Sequence, residues 1–178
     1  MERCMRKVIL YIAASLDGYI ARQDGSIDWL PDPTADFDYG YDELLGRIDT
    51  VLMGRTTYEQ VRGFGDYPYA GMQGIVFSRK RAGELDEYVR FTDEDPAELI
   101  GKLRREEGKH LWLVGGGELI ASFLDHDLVD EFHLFTVPVL LGKGIALFDG
   151  PYPEMALRLE DVSSWPTGLV RTICARTR

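Results

Sequence analysis

Apolar residues recur along this chain in two rhythms. Continuous short runs at Lys7 to Ser15 (KVILYIAAS), Thr50 to Met53, Gly74 to Phe77, Val89 to Thr92 and Leu111 to Val114 predict strands, the first continuous enough to be buried on both faces. Between them the spacing turns helical. Tyr41 to Ile48 predicts a short helix. Thr56 with Glu59 three residues on reads as a capping box, so a second helix is expected to begin there. Asp93-Glu94-Asp95-Pro96 is a helix-start signal, and Leu99, Ile100 and Leu103 form the inner face of a helix over Ala97 to Glu107, ended by Gly108. A fourth helix carries Leu119, Ile120, Phe123 and Leu124. After a connector at Asp125 to Leu128, Glu131 to Leu141 predicts a long strand, whose Pro138 implies an edge or a bulge. Gly142 to Gly144 turns the chain. Leu157 to Val162 and Leu169 to Ala175 then predict an antiparallel hairpin. Strands and helices alternate to about residue 140 and strands follow. This indicates one domain over residues 1–178, a three-layer α/β/α fold with a mostly parallel central sheet and an antiparallel C-terminal hairpin.

The segment around which the rest is arranged is Leu111 to Leu124, LWLVGGGELIASFL. A buried strand stops at Gly115, Gly116 and Gly117 and feeds a helix. Bare glycine lets backbone N–H groups approach a ligand, and the helix start favours an anion. The spacing is not G-x-G-x-x-G, so the usual dinucleotide fingerprint does not apply. Arg55 occupies a similar strand-to-helix junction, where it either meets an anion or pairs with a nearby acid. Ser78-Arg79-Lys80-Arg81 places three consecutive cations after another strand. Asp28-Trp29-Leu30-Pro31-Asp32-Pro33 is an irregular stretch with a Trp and several carboxylates, read either as the rim of a pocket or as a surface loop with Trp29 anchored in the core. Asp17-Gly18 is a turn signal, and Phe64 to Met72 reads as a loop rich in glycine and aromatic residues.

Length and composition narrow these readings. With 178 residues, 45% hydrophobic and 28% charged, the chain fits a soluble globular protein rather than a disordered one. A net charge of −10 argues against a nucleic-acid surface and makes the position of each cation cluster informative. Cys4 and Cys174 are the only cysteines; they read as free thiols in a reducing compartment, so a cytoplasmic location is expected. No apolar run approaches the ~20 residues that span a bilayer. His110, His126 and His133 lack partners at metal spacing, and no metal site is expected.

Four stretches together carry a family resemblance: AASLDGYIA (Ala13 to Ala21), VLMGRTTYE (Val51 to Glu59), GIVFSR (Gly74 to Arg79) and LWLVGGGELIASFLDHDLVDEFHLFTVPVLLGKG (Leu111 to Gly144). In this order they resemble the dihydrofolate reductase fold, and more closely the reductase domain of riboflavin biosynthesis and its stand-alone relatives. The resemblance implies an NADPH-dependent reductase acting on a pterin- or pyrimidine-like ring, as 5-amino-6-(5-phosphoribosylamino)uracil reductase does. It places Gly54, Arg55 and Thr56 on the cofactor phosphates and Ser78 and Arg79 beside the 2′-phosphate. Gly115, Gly116, Gly117, Glu118 and Leu119 fall on the pyrophosphate and nicotinamide side, with Ala13 and Ile20 framing the nicotinamide. Asp32 or Asp36 would be the catalytic carboxylate, with Trp29 and Thr136 on the substrate side, although Thr136 also reads as an ordinary strand threonine. Two departures fall on the substrate side: Asp17-Gly18-Tyr19 where the riboflavin reductases typically have Asp-Gly-Lys, and Gly115-Gly116-Gly117 where they usually have Glu-Gly-Gly. The alternatives are a true dihydrofolate reductase and a non-catalytic NADP(H)-binding protein. A homodimer is expected, partly from the resemblance and partly because the strand from Phe132 to Leu141 reads as an edge open to a second subunit.

Overall fold

The computed structural model describes residues 5–31 and 37–177. In chain order the elements are β1 (Val8–Ser15), β2 (Tyr19–Ala21), α1 (Tyr41–Arg47), β3 (Ile48–Gly54), α2 (Arg55–Gly63), β4 (Gln73–Phe77), β5 (Val89–Thr92), α3 (Pro96–Leu103), β6 (His110–Gly115), α4 (Gly117–Asp125), β7 (Glu131–Val137), β8 (Ile145–Ala146), β9 (Leu157–Ser164) and β10 (Val170–Arg176). Eight strands form one sheet in the order β5-β4-β3-β6-β1-β7-β10-β9. The first six run parallel, and the β9–β10 hairpin closes the sheet antiparallel against β7. This is the α/β architecture that the alternation of periods predicts.

Side chains alternate across the sheet, so each buried strand feeds two cores. On one face Val8, Leu10, Leu111 and Leu113 pack under α3 and α4, whose Leu99, Ile100, Ile120 and Phe123 are all buried. On the other face Ile9, Val51, Met53 and Trp112 pack under α1 and α2 through Leu44 and Tyr58. A third cluster continues that second face toward the C-terminal ends of β1 and β7. There Phe135, Val137 and Leu169 meet Tyr11, Ala13, Trp29, Tyr39 and Trp165.

Several local expectations change. The Thr56–Glu59 capping box does not form. β3 runs on to Gly54, paired with Phe77, so Gly54 becomes the N-cap of α2 and Glu59 turns to Arg55 instead, at 2.7 and 2.8 Å. α3 is capped as the acid-rich start implies, with Asp95 accepting from the Ala97 and Glu98 N–H groups. It stops at Leu103, well before Gly108, with Arg104 as C-cap, its side chain on Asp130 at 2.6 Å and on the Leu128 carbonyl at 3.0 Å. β7 ends at Val137, since Pro138 has no N–H to continue the ladder. It is an interior strand between β1 and β10, not an edge; the sheet edges are β5 and β9. The homodimer expectation loses the support drawn from that strand. The β8 strand has no counterpart in the hydrophobic pattern. It pairs with β2 in a separate two-stranded ribbon.

At the N-terminal end of the parallel strands sits a charged cluster. The Glu131 side chain, only 10% exposed, accepts from Lys7 Nζ at 2.8 Å, from Arg47 Nη2 at 3.1 and 2.8 Å, and contacts His133 Nε2 at 3.2 Å. Burial alone would raise its pKa, but these donors hold the carboxyl well below the ordinary range. Nearby, buried Arg6 binds the Lys109 carbonyl at 2.6 Å, Thr50 Oγ1 at 2.8 Å and the Asp49 carboxylate.

Candidate active site

The C-terminal tips of the parallel strands lie side by side. Met53 pairs with Gly115 and Gly54 with Phe77, so the segments leaving β3, β4 and β6 share one edge of the sheet. Two helices start there. Both α2 and α4 are nine residues long, with glycine N-caps, Gly54 and Gly116, and neither has a side-chain cap. A Cβ at Gly54 would stand 3.8 Å from the Gly116 nitrogen and 3.9 Å from the Gly115 oxygen. Two helix starts whose first N–H groups have no side-chain acceptor therefore face the same small space. The Gly115–Gly116 peptide is cis, and Gly115 has φ 133°, a conformation open to glycine but strained for other residues.

The β2–β8 ribbon forms the opposite wall. A Cβ at Gly117 would meet the Ala146 carbonyl at 3.2 Å, Ile145 Cγ2 at 3.4 Å and Ile20 Cδ1 at 3.9 Å. At Gly116 it would meet Thr57 Oγ1 at 3.2 Å. Gln60 of α2 donates to the Gly25 carbonyl at 2.9 Å, fixing the turn after β2 against the same helix. The cleft thus has strand tips as floor, the first turn of α2 on one side and the ribbon on the other.

Asp17 anchors that ribbon. Its carboxylate accepts from the Ser15 hydroxyl at 2.6 Å and from the Leu141 and Gly142 N–H groups at 3.1 and 2.7 Å. Ser15 Oγ in turn accepts from the Tyr19 N–H at 2.9 Å, and the Leu147 N–H binds the Gly18 carbonyl at 2.9 Å. The Ser15 hydrogen bond, followed by the two backbone donors, lowers the Asp17 pKa. Asparagine would offer one acceptor oxygen and turn an NH₂ toward a backbone N–H. Asp17→Asn is therefore expected to speed amide exchange at Leu141 and Gly142 while the melting temperature barely moves. Unchanged exchange at those two amides would remove the anchoring role.

The expected site residues divide among several places. Gly54, Arg55, Thr56, Gly115, Gly116, Gly117, Glu118, Leu119 and Ile20 gather at the cleft. Arg55 is held by Glu59, the acid-pairing alternative. Thr56 is exposed, and its neighbour Thr57 is the one placed against Gly116. Ser78 is buried, its N–H bonded to the Thr92 carbonyl at 2.8 Å, and Arg79 and Lys80 stand exposed beyond it. Among the described residues neither cation has an ion-pair partner, whereas Arg81 pairs with Glu84 at 2.7 Å and lies over the Phe91 ring. Ala13 and half-buried Trp29 belong to the aromatic cluster beside the cleft. Thr136 pairs with Ala14 and so faces the α3–α4 side of the sheet. Asp32 and Asp36 lie outside the described residues. Among the described residues no group of three or more His, Cys, Asp or Glu side chains is gathered to hold a metal ion, and no helix is long and apolar enough to cross a membrane.

Charge runs in one direction across this edge. It is positive beyond β4, at Arg79 and Lys80. It is negative beyond β1, where the described residues of Gln23 to Gly46, a stretch whose sequence has seven carboxylates and neither lysine nor arginine, include Asp24, Asp28 and Asp38. Thr57, Asp17 and the β8 strand escaped the sequence reading; only the helix register for Thr57 and the Asp-Gly pair for Asp17 carried any signal.

Known proteins share this arrangement. The uncharacterised YwjB protein of Bacillus subtilis (strain 168) is 42% identical over 156 residues, covering 87% of this chain and 90% of its own length. The crystal structure of a Shewanella sp. PV-4 protein named for riboflavin biosynthesis superposes with a TM-score of 0.85 at 31% identity, covering 97% of this chain and 99% of that one. A diaminohydroxyphosphoribosylaminopyrimidine deaminase/5-amino-6-(5-phosphoribosylamino)uracil reductase of Thermotoga maritima shares the fold, with a TM-score of 0.75 at 17% identity over 97% of this chain and 57% of its own. The family model of the RibD C-terminal domain matches residues 6–170, and the chain belongs to that family.

Proposed function

We propose that this protein is an NADPH-dependent reductase that delivers hydride to a pterin- or pyrimidine-like ring. Membership of the RibD C-terminal domain family supports a reductase of the riboflavin-biosynthesis type. The observation that carries the cofactor reading is the meeting of two helix starts, uncapped by side chains, over a glycine floor. At about 4.8 Å per strand, the step from β4 across β3 to β6 is roughly 10 Å, a span suited to an extended dinucleotide.

In this reading the N–H groups at the starts of α2 and α4 take the pyrophosphate, with Thr56 or Thr57 adding a hydroxyl. Gly54, Gly116 and Gly117 fit the group because, lacking a Cβ, they leave the N–H groups of the helix starts open to it. Arg79 takes the 2′-phosphate, with Ser78 below it. Ile20 and Ala13, with Leu119, frame the nicotinamide and exclude water from its reactive face. When bound, the reduced nicotinamide supplies the hydride, and the chain supplies orientation and electrostatics. Trp29 is assigned to the substrate side and Asp32 or Asp36 to proton delivery, while Thr136, turned to the α3–α4 side of the sheet, is left as an ordinary strand threonine.

Arg79 offers the direct test. Losing one charge-assisted contact to a phosphate is worth about 2 kcal/mol, roughly a 30-fold weaker NADPH affinity. Arg79→Ala should show that loss by calorimetry and leave NADH binding unchanged. An unaltered NADPH-over-NADH preference in the variant overturns the assignment.

A further inference from the structure

The substrate half of the cleft has a chemistry of its own. Tyr11, Trp29, Tyr39, Phe135 and Trp165 share one cluster, with Tyr11 and Phe135 ring centroids 4.7 Å apart and Tyr39 edge-on to Trp165 at 5.2 Å. Most of these rings are only partly buried, so aromatic faces and edges remain at the surface beside the strand tips. The chain that supplies Trp29 and Tyr39 is the acidic run. Of its seven carboxylates, Asp24, Asp28, Asp38, Asp42 and Glu43 are among the described residues. Asp24 is held below the ordinary carboxylate range by the Ser26 hydroxyl, and Asp28 by Arg22, so both are charged at neutral pH.

Among the described residues the cations on this side have acidic partners, although the buried Nε–H of Arg171 is not itself hydrogen-bonded. Arg22 binds Asp28 at 2.6 and 3.3 Å. Arg171, 11% exposed, binds Asp161 and Ser163 at 3.2 and 3.3 Å and lies 5.7 Å from the Trp165 ring. The exception is Lys143, which shares a cavity of about 310 Å³ with Arg22, Gln23, Asp24 and Leu141. Asp24 lines the same cavity, and Arg22 is bound to Asp28.

Given the reductase reading, on which this inference rests, we propose that the substrate is a planar heterocycle without a phosphate group or other anionic tail. The aromatic cluster takes the ring, and the acidic lip repels anions while favouring ring N–H and amino donors. This departs from the phosphoribosylated pyrimidine in the name of the Thermotoga maritima structure. Repulsion of a dianion by this acidic lip is expected to weaken binding about tenfold or more at low salt.

Matched pairs test it: 7,8-dihydroneopterin against its monophosphate, and 5-amino-6-(ribosylamino)uracil against its 5′-phosphate. Each is titrated calorimetrically into full-length protein saturated with NADP⁺. The expected result is tighter binding of the phosphate-free member, by about tenfold, with the gap shrinking as salt rises from about 20 to about 500 mM. The exposed-site double variant Asp42→Lys/Glu43→Lys should also narrow the gap. Equal or tighter binding of a phosphorylated member overturns the proposal, and loss of that preference in Lys143→Ala would trace it to the cavity beside Arg22. If NADP⁺ binds but neither ring does, the proposal fails alone. If NADP⁺ itself gives no heat and no ring binds, the reductase reading fails and takes the proposal with it.

Discussion

Glu131→Ala is expected to destabilise the protein by about 3 to 5 kcal/mol, the usual cost of leaving one side of a buried ion pair without its partner. The carboxylate sits among Lys7, Arg47 and His133. Lys7 and Arg47 keep partial contact with water, at 42% and 32% exposure, but His133 is 5% exposed and has nowhere to turn. Glu131→Gln keeps the shape and loses the charge, so a smaller loss is expected. The pH dependence follows from the sign of the shift. The native pKa lies below the ordinary value of 4.5, so the pairing contributes in full above that value and is lost as the pH falls below it. Denaturant unfolding followed from pH 7 down to acid should therefore show wild type losing stability faster below about pH 4.5 than Glu131→Gln. Parallel curves would mean that the carboxylate is not stabilised by its neighbours. Six residues of β7 separate Glu131 from the cleft end, about 20 Å, so cofactor binding at neutral pH should survive in whatever fraction stays folded.

What was legible in the sequence was local. Apolar runs ending in glycine marked the tips of β3 and β6, and those tips are neighbours because parallel strands joined by helices bring their C-terminal ends to one edge. The acidic cap before Pro96 was legible for the same reason: cap and helix are adjacent in the chain. Features set by distant partners were not. The Asp17 carboxylate binds N–H groups more than 120 residues away, and nothing in Asp17-Gly18 announces that. β8 is two residues long, too short to carry a period, and exists because β2 offers it a partner. The interior position of β7 depends on the return of β10, so a proline that looked like the mark of an edge was only the end of a strand. Arg55 was ambiguous because both readings use the same charge; Glu59, one helical turn away, takes it in the absence of a stronger anion. Trp29 and its carboxylates were visible as composition, but their opposition to Arg79 and Lys80 across one cleft emerges only when β4 and β1 are placed in the same sheet.

Gly117→Val is expected to weaken NADPH binding by about 30-fold or more, since losing even one charge-assisted contact to a phosphate is worth about 2 kcal/mol. The Cβ alone would come within 3.2 Å of the Ala146 carbonyl and 3.4 Å of Ile145 Cγ2, and the two γ-carbons of valine need still more room. The carbonyl belongs to a strand paired with Tyr19, so it cannot swing aside as a side chain would; the whole β2–β8 ribbon must move. Ile20 rides on that ribbon, so displacement opens the side of the cleft proposed to take the nicotinamide together with the start of α4. Gly116 presents a milder case, because its neighbour is the Thr57 hydroxyl, which can rotate away. Gly116→Ala should accordingly lose less than Gly117→Val. Gly46 gives the control: it lies in α1, where an added methyl would have nothing within 4 Å, and Gly46→Ala should leave NADPH affinity unchanged while raising stability by roughly 0.5 to 1 kcal/mol. Thermal shift with and without NADPH, alongside circular dichroism to confirm the fold, reads all three. A Gly117→Val protein that folds and binds NADPH like wild type would move the cofactor away from the glycine turn, because no dinucleotide held by the starts of α2 and α4 can ignore the wall that valine displaces.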